Sequence, residues 1–125
     1  MVTVDVENRT GEKVDVPALV ELARLVLADE GVDEGELGIH LVAPEEIRRL
    51  KREHLGIDEA TDVLAFPIDE RAEVPEGVPR QLGDVILCPQ VIGAAWRAPL
   101  VHGLLHLLGH DHGAEMEERE RSHAQ

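Results

Sequence analysis

The chain has 125 residues, is 43% hydrophobic, and carries one cysteine and a formal net charge of -14. That length suits one compact domain over residues 1–125, and a lone Cys88 excludes an internal disulfide. No apolar run approaches the roughly 20 residues of a membrane span and no charged-then-apolar leader opens the chain, so a soluble cytoplasmic protein is expected; a negative charge this strong repels phosphate backbones.

Val2, Val4 and Val6 alternate with polar residues, the period of a half-buried strand over about Val2 to Asn8. Asp15 then caps a helix with Pro17 in its first turn; Leu19, Val20, Ala23, Val26 and Leu27 line one side and Gly31 stops it. Glu36 to Val42 make a second strand, and Pro44 opens a helix that faces inward at Ile47 and Leu50 and ends at Gly56. On its outer side Arg48, Arg49, Lys51 and Arg52 supply four of the twelve basic residues. They form either a solvated helix face or a local positive strip that survives the global deficit. Phe66 and Trp96 are the only large aromatics, which disfavours a stacking platform for unpaired bases.

Thr61 to Pro67 and Leu82 to Leu87 are short apolar runs, both strands, joined by a loop rich in proline, glycine and charge. Asp62 and Asp84 are read as strand-end or turn residues and Cys88 as a small buried hydrophobe. Strands alternating with helices indicate the α/β class, a mixed and mostly parallel four-stranded sheet packed with helices. Gly113 to Gln125 read as a frayed, charged C-terminal helix.

Four of the seven histidines fall between His102 and His112. A short leucine-rich helix from about Pro99 to Leu108 puts His102 and His106 one turn apart on one face, and Gly109 lets the chain turn back so that His112 arrives as a third ligand. A single histidine on such a helix reads as a hydrogen-bonded core residue, but three at this spacing around a helix-ending glycine do not. Three imidazoles suit one zinc ion and leave a fourth position for a water that loses its proton near pH 7. His110 and Asp111 stand beside the third ligand as supporting groups. If one of them filled the fourth position, the site would be structural and inert.

The His-x3-His-x2-Gly-x2-His spacing is also that of metzincin proteases, but those carry a glutamate base after the first histidine, where this chain has Gly103. The full run His-Gly-Leu-Leu-His-Leu-Leu-Gly-His-Asp-His resembles instead the signature of the YbeY family, zinc-dependent endoribonucleases that mature ribosomal RNA. Thr61-Asp62-Val63-Leu64-Ala65-Phe66-Pro67 and Leu82-Gly83-Asp84 are similar to two further stretches of that family. The resemblance implies zinc on His102, His106 and His112, a single-stranded or ribosomal RNA substrate and the ribosome or its proteins as partners; no nucleotide cofactor is expected. The family commonly has an arginine implicated in catalysis six residues before the threonine; here that place is Leu55. Arg52, one helical turn back, and Asp84 are the nearest candidates for catalytic groups. The connection from Cys88 to the histidine helix is shorter than the family norm, so a helix there is expected to shrink to Gln90–Arg97.

The leading expectation is therefore a zinc-dependent, single-strand-specific endoribonuclease acting in ribosomal RNA maturation and ribosome quality control. The alternatives are a zinc peptidase or amidase, which would need a base that Gly103 does not supply, and a non-catalytic ribosome-associated module whose zinc is structural.

Overall fold

The valine alternation at the start of the chain becomes strand β1 (Val2–Asn8) in a computed structural model, which describes residues 2–59, 61–68, 77, 80–93 and 95–108. Helix α1 (Val16–Asp29) follows, with the Asp15 carboxylate accepting from the Ala18 backbone N–H at 3.1 Å and Pro17 in the first turn. The cap satisfies one orphan donor, and proline has no N–H to lose there. Its buried stripe is Leu19, Leu22, Ala23, Val26 and Leu27. Leu22 thus takes the inward place expected of Val20, which lies at the stripe's margin and is only half-buried.

Strand β2 (Gly35–Leu41) and helix α2 (Pro44–Leu55) come next, the helix ending on Gly56 in the left-handed conformation. Strand β3 (Val63–Pro67) and strand β4 (Gln81–Leu87) complete the sheet. The strand order is β1-β2-β4-β3, with β1–β2 and β2–β4 parallel and β3 antiparallel to β4 at the edge. This is the mixed, mostly parallel sheet expected from the sequence.

Strand periodicity divides the core into two layers. Leu37, Ile39, Leu41, Val85 and Leu87 point to one face with the valines of β1, where α1 and the last helix cover them. Leu64 and Ile86 point to the other, with Phe66 at the margin, and there Ile47 and Leu50 of α2 cover them beside the buried Cys88. Each fully buried leucine contributes about 1.5–3 kcal/mol of transfer free energy, so the α1 face holds the greater share of the stability.

Past β4 the chain makes only a short helical turn, α3 (Pro89–Ile92), closed by the Gly93 N–H donating to the Pro89 carbonyl at 2.7 Å. The expected helix over Gln90–Arg97 is thus shorter and ends earlier. Helix α4 (Arg97–Leu107) begins two residues before the expected Pro99, which sits in its first turn. Residues 69–76 and 78–79 of the loop before β4, Gly109, and the expected helix over 113–125 lie outside the described residues. Among the described residues no helix is long and apolar enough to cross a membrane.

Candidate metal centre

Helix α4 is a core helix with one open stripe. From Leu100 to Leu108 every residue is buried except His102 and His106, which are partly exposed. Leu100, Val101, Leu104, Leu105 and Leu107 are between 0% and 1% exposed. The helix is therefore clamped, and the four-residue spacing fixes both imidazoles on its open side.

Gly103 explains how α4 lies so close to the sheet. A Cβ there would stand 2.9 Å from Val85 Cγ1 and 3.1 Å from Val63 Cγ2, so the helix approaches β3 and β4 at a distance that only glycine permits. The glutamate of a metzincin has no room at this position. Gly83, in the Leu-Gly-Asp stretch, serves the same packing: its φ is +132° and a side chain would run into the Phe66 carbonyl of β3.

The Nε2 atoms of His102 and His106 are 3.0 Å apart, the two rings meeting nearly edge to face. Without a cation, one ring carries the proton and the other accepts it. Two nitrogens on a tetrahedral zinc with bonds of about 2.0–2.1 Å stand about 3.3–3.4 Å apart, so the pair needs a shift of a few tenths of an ångström to hold one ion. The donor set and its convergence fit zinc. His112, His110 and Asp111 lie outside the described residues, and among those described no third His, Cys, Asp or Glu joins the pair.

The other candidates are placed elsewhere. Asp84 is on β4, opposite Gly38 of β2 and Phe66 of β3, and its Oδ1 is 2.9 Å from His40 Nε2. Both side chains belong to the sheet face away from α4, beside a cavity of about 290 Å3 that Glu7 and Glu36 also line. The His40 Nδ1 lies 3.7 Å from Glu7, whose carboxylate is held below its ordinary value chiefly by a hydrogen bond from Arg9. Arg9 also reaches Glu46 of α2 at 2.6 Å, so a chain of polar side chains runs from α2 across β1 and β2 to β4. Sequence reasoning missed His40; its signal was a histidine at an outward position of a strand, and its partner is 44 residues away. Asp62 stands just before β3, its carbonyl accepting from the Cys88 N–H at 3.1 Å.

Arg52 is exposed on α2, across the sheet from α4, and Leu55, at the position of the family arginine, is 56% exposed at the end of the same helix. The basic strip is largely answered by acid. Arg48 donates to both oxygens of Asp58 at 2.7 and 3.3 Å, Lys51 donates to Glu59 at 2.8 Å, and Arg49 lies 3.9 Å from Glu53. The Arg48 hydrogen bond, aided by the charges of Arg48 and Arg52, holds the Asp58 carboxyl below its ordinary value.

Comparison with known proteins agrees with this architecture. The solution structure of TM1509 from Thermotoga maritima superposes with a TM-score of 0.60 at 24% identity, covering 99% of this chain and 87% of that one. The proteins named Endoribonuclease YbeY from Acidothermus cellulolyticus and Salinispora tropica are 40% and 38% identical to this chain. Each alignment spans 94% of this chain, and 84% and 88% of the respective relative. The same-named protein of Streptomyces coelicolor is 34% identical over 94% of this chain and 82% of its own length. The family model described as Endoribonuclease YbeY matches residues 5–125, and on these grounds the chain belongs to the YbeY endoribonuclease family.

Proposed function

We propose that this protein is a zinc-dependent endoribonuclease that cuts single-stranded RNA during ribosomal RNA maturation and ribosome quality control in the cytoplasm, with the ribosome or its proteins as partners. The observation that carries the reading is the His102–His106 pair, two imidazoles converging on one point along the open stripe of a buried helix. Family membership supplies the reaction class.

In this reading His102 and His106 hold one zinc ion, and His112 supplies the third ligand. Held there, such an ion would supply a positive centre against the charge that develops on a phosphodiester oxygen. The chain's own part is preorganisation. Leu100, Leu104 and Leu107 fix the roll of α4, Gly103 sets its depth, and the two rings are thereby aimed before substrate arrives. A peptidase reading is disfavoured by the same glycine, because its base would stand inside the packed contact with Val63 and Val85.

The test is cleavage of an end-labelled single-stranded ribosomal RNA fragment by zinc-loaded protein, beside His106→Ala and a chelated sample. Cutting by the zinc-loaded parent alone is the expected result. Silence of the parent with zinc bound would mean that the zinc is structural or that cutting awaits a ribosomal partner, and would withdraw the enzymatic claim until that partner is tested.

A further inference from the structure

We propose that the outer face of α2 docks the phosphate backbone of single-stranded RNA, and that Asp58 and Glu59 occupy this strip as carboxylate stand-ins until RNA displaces them. The occupant's identity rests on the endoribonuclease reading above; the strip itself rests on charge and placement.

In a chain of net charge -14, four of twelve basic residues fall between positions 48 and 52. Arg48, Arg52 and Leu55 follow at i, i+4 and i+7 and share one face of α2, with Arg49 beside them. Arg48 and Arg49 side chains are each 55% exposed, while Ile47 on the opposite side is fully buried and pins the helix. Arg48 grips Asp58 with two nitrogens, and a guanidinium takes a phosphate in the same fork. Lys51, expected on the outer side, instead lies at the helix's margin one turn on from the buried Ile47, its side chain only 14% exposed, and donates to Glu59 at 2.8 Å; both acids sit on the short loop that the Gly56 turn sends back along the helix. The Arg48–Asp58 pair is about half exposed on both sides, and such pairs are weak and screened by salt, so a polyanion that brings several phosphates at once outcompetes it.

Placement favours RNA over an acidic peptide. Helices α2 and α4 lie on opposite faces of β3, the sheet's edge strand: α2 packs against Leu64 and Phe66, α4 against Val63. Among the described residues, a nucleotide strand leaving the strip at the exposed Leu55 and Ile57 has that one edge to cross before it reaches the side of the sheet that carries His102 and His106. The strip then feeds the candidate metal centre from outside, and the loop acids exclude weaker anions.

The experiment is fluorescence anisotropy of a labelled oligouridylate over a range of salt, with His106→Ala as the parent so that nothing is cut. R48Q/R49Q/R52Q is expected to weaken binding at least about tenfold and to flatten the salt slope by about two, since each phosphate no longer neutralised removes roughly 0.7 from it. R48K/R49K/R52K, which keeps the charge, retains most of the affinity. D58N/E59Q tightens binding by about threefold to tenfold, well beyond E21Q/D33N, which removes the same charge from exposed positions elsewhere. A glutamine triple that binds with parental affinity and slope overturns the docking strip. Equal gains from the two carboxylate pairs overturn the displacement by RNA. Polyglutamate that competes as well as unlabelled oligouridylate reassigns the strip to an acidic protein. Cleavage enters none of these readings, so a strip that behaves as expected on a protein that never cuts RNA leaves this inference standing and removes the endoribonuclease reading instead.

Discussion

The Nε2 atoms of His102 and His106 stand 3.0 Å apart on the one stripe of α4 that packing leaves open, close to the separation that two imidazoles adopt on a tetrahedral ion. Either residue replaced by alanine should therefore cost zinc. Supporting groups around a metal are commonly worth 10–100-fold in affinity, so loss of a direct ligand is expected to exceed about 100-fold. Competition against a coloured chelator measures it, with circular dichroism to confirm that α4 still folds. Parental zinc affinity in His106→Ala would remove that residue from the ligand set.

Gly103→Ala opposes two terms of known sign. Alanine favours a helix over glycine by about 1 kcal/mol, whereas overpacking a core commonly costs about 1–3 kcal/mol. With a Cβ 2.9 Å from Val85 Cγ1, the second term is expected to win, leaving the variant less stable by up to about 2 kcal/mol in urea unfolding. Val85→Ala in the same chain should return part of that loss by making space, a coupling that a double-mutant cycle reads directly. A stabilised Gly103→Ala would mean that α4 has slack against the sheet.

The elements were legible in the sequence because their signals are local. The valines of β1, the Asp15 cap, the Gly56 stop and the histidine spacing each act within a few residues. What was not legible depends on register between distant segments. The His40–Asp84 pair exists because β2 and β4 are parallel neighbours with Gly38 opposite Asp84, and no local pattern announces that. The neutralised strip on α2 was half legible: the basic residues were visible, but which acids answer them depends on how the chain turns at Gly56. The histidine motif was legible as a candidate centre, and the structure brings together the two members it describes while placing Arg52 and Asp84 on the far side of the sheet.

The Arg48–Asp58 contact has a pH signature. A hydrogen bond from Arg48 favours the ionised carboxyl and depresses its folded-state pKa. A depressed carboxylate stabilises the folded state above its unfolded value, near 3.9, and that contribution fades as pH falls through the lower folded value. The loop should thus stay latched at neutral pH and release only in strong acid. Carboxyl NMR titration of Asp58 is expected to show a midpoint below the ordinary aspartate value, returning upward in Arg48→Gln. A midpoint that Arg48→Gln leaves in place would assign the shift to another cause.

Asp84 and Arg52 offer the sharpest separation of structural from catalytic roles. Asp84 is spent on His40, on the sheet face that α4 does not touch, and a partly exposed pair of this kind is worth about 0.2–1 kcal/mol. Loss of a working general base commonly costs about 10²–10⁴ in rate, so kcat discriminates. Asp84→Asn is expected to keep zinc loading and to hold kcat within about fivefold, since nothing near the histidine pair changes. Arg52→Gln should also spare kcat but raise KM, because the guanidinium it removes would contact the RNA backbone away from the scissile bond. A hundredfold fall in kcat for Asp84→Asn with zinc still bound would place that carboxylate in the chemistry, and would require the sheet edge at β3 to open far enough for both faces to meet one substrate.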